Sequence, residues 1–417
     1  MTDPGAWKRE PAPTGLRPQR GGSPKPSETR YRDADVARLW EQLAAGENIL
    51  LTAEKRVGKT AVLGLLSEQK TDQLWVVQRD VESVGTPKQL VELLCSDVRP
   101  LLPGVERAKQ RWDRFITALG GSSIGPVTLP AFDDKDWQAH LNEMFDALAE
   151  HLDSEGRALV ILWDEAPWMI AKIHNTCGWQ TAADVLDQLR AVRQRHRCIR
   201  FLFTGSIGFH HVLRNLRDGR SHRASINDLR RAELPPLAPD DAGRLAWALL
   251  RWIVEHGTSA SDPLPDLAEV ITERCEGIPW FIHAAVDDLS KQKQPIDRAS
   301  VDRVVDAARY SASDGWELRH YVDRVDEYYG ADADLARAIL DAVAVAVTRG
   351  TTATAIVHDL QRFQPPPSRD AVLDLLRLLH EDHYLVHEPP TWRFTYRLVM
   401  RAWIDLRDLE PETGGGS

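Results

Sequence analysis

Three patterns in this sequence predict an α/β fold with a parallel sheet, joined to an all-helical region and a small C-terminal module. Between residues 30 and 237, short apolar runs alternate with segments of helical spacing, the order that builds a parallel sheet covered on both faces. From Asp240 onward strand-like runs stop for well over a hundred residues. In the last eighty or so residues, three helical segments precede two short strand-like runs, the order of a winged helix.

The elements follow in chain order. Residues 1–29 are rich in Pro, Gly and Arg without a hydrophobic period, and read as a disordered arm of mildly basic character. Asp33–Leu43 has helical spacing and leads to a strand at Asn48–Thr52. A helix opens at Gly58, a second strand lies around Leu74–Val77, and a helical stretch covers Pro87–Leu94. A less regular insertion then runs through Phe132. Trp137–His151 is amphipathic, and the most apolar strand, Ala158–Trp163 (ALVILW), follows it. A helix at Gln180–Arg195 leads to a strand at Ile199–Phe203, and a last strand lies near Ala232–Leu234. Helices are expected at Asp240–His256, Leu267–Cys275 and Pro279–Leu289, with more after Ala333. The C-terminal module reads as helices at Asp334–Val347, Thr351–Phe363 and Ser368–His380, then strands at Tyr384–Glu388 and Trp392–Tyr396. The closing TGGGS reads as a flexible linker.

Composition narrows the function. The chain has 417 residues, enough for two or three domains at roughly 150 residues each. With 43% hydrophobic and 27% charged residues it has the makings of a sizeable core. A net charge of −10 argues against a surface that is basic throughout, as non-specific phosphate binding needs clustered Lys and Arg. The 4 cysteines are scattered without a CxxC pair, which suits reduced thiols better than a disulfide framework or a zinc site. No run of about 18 uncharged apolar residues occurs, so a cytoplasmic protein without a membrane anchor is expected.

The segment Ala53-Glu54-Lys55-Arg56-Val57-Gly58-Lys59-Thr60 matches the phosphate-loop pattern GxxxxGK[ST] except that Ala53 stands at the first glycine. Backbone N–H groups of such a loop and the start of the following helix attract phosphate. Arg56, Val57, Gly58, Lys59, Thr60 and Ala61 are therefore the expected nucleotide-binding residues. Lys59 reaches the β- and γ-phosphates and Thr60 offers its hydroxyl to Mg²⁺. A bare GKT is common by chance, but here an apolar strand precedes it and a helix follows, the context that the motif demands.

ALVILW ends in Asp164-Glu165. Two acids directly after a buried strand fit the second half of a phosphate-loop site, with Asp164 on Mg²⁺ beside Thr60 and Glu165 as the base that orients or deprotonates water. Either acid could instead cap the turn at Ala166-Pro167; the GKT loop favours the catalytic reading. Phe201-Leu202-Phe203-Thr204-Gly205-Ser206 is another apolar run ending in small polar residues, where Ser206, with Thr204 second, is the expected γ-phosphate sensor. Arg214, Arg217, Arg220, Arg223, Arg230 and Arg231 include candidates for an arginine acting across subunits, against the plainer reading of a solvated basic face.

The order of these signals resembles the AAA+/STAND group of P-loop ATPases, in particular the archaeal-type ATPases. The resemblance rests on Arg32-Asp33, RVGKT at Arg56–Thr60, Asp80-Val81-Glu82, WDEAPWM at Trp163–Met169, TGS at Thr204–Ser206 and GIP at Gly277–Pro279. It implies a five-stranded AAA+-like core, a helical lid that brings Pro279 to the nucleotide, ATP and Mg²⁺ as cofactors, ATP hydrolysis, and switching or assembly driven by nucleotide state. Two departures stand out: Ala53 at the first loop glycine, and Tyr31 where a glycine is usual. The expected domains are a core at 30–237, a lid at 238–317, a winged-helix-like domain at 318–410 and a tail at 411–417. The favoured function is a nucleotide-driven switch that binds ATP and ADP and contacts a protein partner or further copies of itself. The rival is a DNA-binding ATPase of the loader or transposition-regulator kind. The rival is weakened by Ser368–His380, whose Arg369 and Arg377 are cancelled by Asp370 and Asp374.

Overall fold

The computed structural model describes residues 5–9, 14–22, 24–101, 122–124, 127–129, 136–205, 208–215, 225–311 and 313–411. The chain forms two compact units. One comprises Arg32–Thr52 and Lys59–Leu234; the other comprises Met1–Tyr31, Ala53–Gly58 and Pro235–Ser417. No helix among the described residues is long and apolar enough to cross a membrane.

The first unit is built on a five-stranded parallel sheet. Its strands are β1 (Ile49–Thr52), β2 (Leu74–Asp80), β5 (Ala158–Asp164), β6 (Ile199–Thr204) and β7 (Arg230–Glu233), in the order β2-β5-β6-β1-β7. Strands β3 (Ser122–Ile124) and β4 (Val127–Leu129) pair with each other as a hairpin inside the expected irregular insertion. Every residue of β5 is buried, as a strand covered by helices on both faces must be. Trp163 stacks on Phe203 with centroids 5.5 Å apart, and Phe201 and Phe145 extend the aromatic cluster beneath the helix Trp137–Ser154. The edge strand β7 is short and exposes Arg230, Arg231 and Glu233, side chains that discourage a further strand from pairing there. Its approach is held by Arg193, buried in the helix Trp179–Arg195, whose Nε and Nη2 both bond Asp228 at 2.8 Å.

Ala166–Cys177 differs from the sequence expectation, which treated Ala166-Pro167 as a turn. It is a helix, with Pro167 in its first turn, where the missing N–H costs nothing. Met169, Ile170 and Ile173 supply its buried face.

The second unit is mostly helical. Helices Pro239–Glu255, Leu264–Cys275, Pro279–Ser290 and Arg298–Tyr310 are followed by His320–Tyr329, Ala333–Val345, Ala353–Asp359, Arg369–Glu381 and Arg397–Leu406. Strands β8 (Thr351–Thr352), β9 (Leu385–Glu388) and β10 (Thr391–Phe394) form an antiparallel sheet in the order β8-β10-β9. Three helices with this small sheet make the winged-helix-like end that the element order predicts. Strand β8 and the helices Arg298–Tyr310, His320–Tyr329 and Arg397–Leu406 add to that expectation. Glu276 ties the two helical groups together: its carboxylate accepts the N–H groups of Arg397 and Leu398, both at 2.9 Å, and so caps the last helix.

The N-terminal segment departs from the disordered arm expected of it. Trp7 is buried against Gly243, where a Cβ would stand 2.4 Å from the indole, and lies 5.8 Å from the Trp247 ring. Arg20 pairs with Asp287 at 2.9 Å and Asp288 at 2.5 Å, and the Gln19 N–H donates to His283 Nδ1 at 3.2 Å. A segment without a hydrophobic period still docks when one tryptophan and one arginine find prepared partners. Burial pushes the His283 imidazole down to about 4, so it stays neutral and able to accept that bond.

This histidine gives stability a pH dependence. An ordinary histidine titrates near 6.5, so below that value the unfolded chain takes up a proton that the folded chain refuses until about pH 4. Stability is therefore lost as pH falls through that window. Thermal unfolding at pH 7.5 and pH 5 is expected to show a drop in midpoint, smaller in His283→Gln than in the wild type.

Candidate functional site

Lys59 opens the helix Lys59–Glu68, which is apolar nearly all round and buries Ala61, Val62, Leu63 and Leu66. That burial fixes where the first turn points. Lys59 itself is only 8% exposed, an unusual setting for an ammonium group. The Thr60 hydroxyl donates to Asp164 Oδ2 at 2.5 Å. Burial pushes the Asp164 carboxyl above its usual range; the Thr60 hydroxyl and the Lys59 charge act against that push, and Asp80 on β2 adds to it. Asp80 and Asp164 are register partners at the ends of β2 and β5.

Glu165 follows in the left-handed region, at φ 57°, as the N-cap of Ala166–Cys177. The end of β6 lies beside it. A Cβ added at Gly205 would come 2.7 Å from Pro167 Cδ and 3.3 Å from Glu165 Oε2, so this position must stay bare. The structure thus gathers Lys59, Thr60, Asp164 and Glu165, and adds Asp80 and Gly205, which the sequence marked only as members of the Asp80-Val81-Glu82 and Thr204-Gly205-Ser206 runs. Ser206, Arg217, Arg220 and Arg223 lie outside the described residues.

The loop before Lys59 has two residues in the left-handed region, Gly58 at φ 107° and Arg56 at φ 71°. Ala53 is not among the residues of positive φ, so an alanine meets no backbone penalty there. Tyr31 is among them at φ 63°, which explains why a glycine is the easier residue at that place. Ala53–Gly58 cluster with the second unit. There the Arg56 guanidinium lies 4.0 Å from the Trp280 ring centroid and pairs with Glu317, while Glu54 is buried against Arg324 at 3.4 Å. Pro279 sits in the first turn of Pro279–Ser290, just after Gly277. Gly277 combines φ 70° with a close approach, since a Cβ would meet the Leu237 carbonyl oxygen at 2.5 Å.

Hydroxyl and carboxylate oxygens are hard donors of the kind Mg²⁺ prefers, so the Thr60 and Asp164 pair fits that ion. No protein-family model and no curated protein matches the sequence. Solved structures do match. The Walker-type ATPase PABY2304 of Pyrococcus abyssi superposes with a TM-score of 0.57 at 17% identity, covering 93% of this chain and 99% of that one. The ORC2 protein of Aeropyrum pernix, in its ADPNP–ADP complexes, gives 0.51 at 15% identity over 93% of this chain and 96% of that one. The fold is the AAA+-type P-loop fold, with a five-stranded parallel sheet, a helical region and a winged-helix-like end.

Gly277→Ala is expected to destabilise the chain by on the order of 2 kcal/mol, because the methyl group adds a steric clash to a left-handed backbone. Equilibrium unfolding by denaturant checks this; an unchanged midpoint would contradict it.

Proposed function

We propose that this protein binds Mg-ATP and hydrolyses it, acting as a nucleotide-dependent switch with a core at 30–237, a lid at 238–317 and a winged-helix-like domain at 318–410. The observation that carries the reading is the Thr60–Asp164 hydrogen bond beside the buried Lys59, with Glu165 next in the chain. These are the oxygen donors, the cation and the second acid that phosphoryl transfer to water requires. When bound, Mg²⁺ would neutralise charge developing on the phosphates; Thr60 and Asp164 are the residues to hold it. The N–H groups of Arg56–Ala61 would take the phosphates, Lys59 would offset their β and γ charge, and Pro279 would contribute from the lid. Glu165 would accept the proton of the attacking water, and Ser206 would sense the γ-phosphate.

For the C-terminal module we favour a protein partner or further copies of the chain over DNA. On Arg369–Glu381 the exposed Arg377 is paired with Asp374 at 2.9 Å, and on the wing Arg393 is paired with Glu388. Cations committed to neighbouring carboxylates release few counterions on meeting a phosphate backbone. The DNA-binding alternative would need another basic surface.

Lys59→Ala is expected to abolish tight ATP binding, measured by titration of a fluorescent ATP analogue; unchanged affinity would end the phosphate-loop assignment. Glu165→Gln should bind ATP normally and hydrolyse it about 10²- to 10⁴-fold more slowly, the usual contribution of a positioned base. Phosphate release in single turnover measures that loss, and a wild-type rate would reduce Glu165 to a turn residue. Duplex DNA should bind weakly, with a shallow dependence of log K on log salt. A steep slope would count many neutralised phosphates and favour the DNA-binding reading.

A further inference from the structure

The phosphate loop carries two charges that its motif does not call for, Glu54 and Arg56, and both are held by one stretch, residues 317–324, where the lid meets the winged-helix-like domain. Arg324 lies in the helix His320–Tyr329 with 2% of its surface exposed, and Glu54 is 3% exposed. Arg324 Nη1 meets Glu54 Oε1 at 3.4 Å, its Nε donates to the Tyr384 hydroxyl at 2.7 Å, and its Nη2 donates to the Asp382 carbonyl at 3.3 Å. Tyr384 in turn donates to the Tyr321 carbonyl at 2.6 Å. The guanidinium is thus fixed before it reaches the loop. Three residues ahead of that helix, Glu317 pairs with Arg56, whose guanidinium also lies on Trp280.

The two pairs run antiparallel. The loop reads minus then plus at 54 and 56, and the stretch facing it reads minus then plus at 317 and 324, with 54 on 324 and 56 on 317. The swapped register would bring Glu54 to Glu317 and Arg56 to Arg324, like charges together with Glu54 and Arg324 buried, at a cost beyond what the pairs gain. Arg56 also holds φ 71° without being glycine, a conformation that persists only where its surroundings over-determine it.

We propose that Glu317 and Arg324 are positioning residues for the phosphate loop: through Arg56 and Glu54 they fix its shape, so that nucleotide affinity depends on the segment 317–324. This rests on the nucleotide reading above. A partner that moves the segment 317–324 would change the loop from outside, and nucleotide bound to the loop would favour the latched arrangement by the same amount.

The test has a readout without nucleotide and one with it, both on the full chain. Hydrogen exchange of the backbone amides at 54–58 is followed in wild type, Glu317→Gln, Glu317→Asp and the reversed pair Arg56→Glu/Glu317→Arg. Glu317→Gln, a partly exposed site that leaves the fold intact, should speed exchange of the loop amides. Glu317→Asp and the reversed pair should restore protection. Titration with a fluorescent ATP analogue should then show affinity weakened roughly fivefold in Glu317→Gln, the effect of losing a partly exposed pair, and recovered in Glu317→Asp. Loop exchange equal to wild type in Glu317→Gln overturns the proposal, as does faster exchange with unchanged affinity. A wild-type chain that binds no ATP overturns the nucleotide reading instead, and the exchange result still decides whether the pairs hold the loop.

Discussion

A carboxylate at the end of a strand that is buried along its whole length is the constraint on which the candidate site depends. Strand β5 cannot slip by one residue without carrying an acid into the aromatic cluster of Trp163, Phe201 and Phe203. Asp164 is therefore placed by core packing rather than by loop chemistry. Its burial would favour the neutral acid; the Thr60 hydroxyl and the nearby Lys59 charge oppose that. A divalent cation would act in the same direction as Lys59, and more strongly, because such an ion is the largest local charge in a site of this kind.

The second unit is organised around a different buried charge. Arg324 spends its donors on Tyr384, Asp382 and Glu54, while the Tyr384 ring lies 4.4 Å beneath the guanidinium. Removing such a group while its partners stay buried is expensive. The network joins the helix His320–Tyr329, the start of β9 and the phosphate-loop residue Glu54. Glu276 does the same between the helices Leu264–Cys275 and Arg397–Leu406. The helical region and the winged-helix-like end are therefore tied by polar anchors as well as by apolar packing.

What the sequence made legible follows from the kind of signal involved. Period and apolarity located β1, β5 and β6 and most helices to within a few residues, since burial on both faces leaves an unmistakable run such as ALVILW. Lys59, Thr60, Asp164 and Glu165 could be named because each follows a strand or opens a helix in a known pattern. Ala166–Cys177 was hidden because Pro167 looks like a turn residue, although a proline in the first turn is compatible with a helix. The docking of residues 5–9 and 14–22 was hidden because a single tryptophan has no period. The pairing of Glu54 with Arg324 joins positions 270 residues apart, and no local pattern encodes that. For the site residues themselves, the sequence supplied identities and the structure supplied distances; their roles belong to the proposed function.

The backbone carries an independent mark of the same places. Non-glycine residues rarely adopt positive φ, and doing so costs roughly 1 kcal/mol or more. Of the nine that do so among the described residues, four are Arg56 within the phosphate loop, Glu165 after the strand-end aspartate, Glu276 before the Gly-Ile-Pro turn, and Glu317 opposite Arg56. A contact at each position offsets the strain. Arg56 and Glu317 hold each other, Glu276 accepts two helix-terminal N–H groups, and the Glu165 carboxylate lies against the bare Cα of Gly205. All four are charged residues whose side chains must point one way while the backbone turns another. Strain of this kind persists only where the surroundings over-determine it, so a change that loosens the paired side chain removes what holds the backbone there.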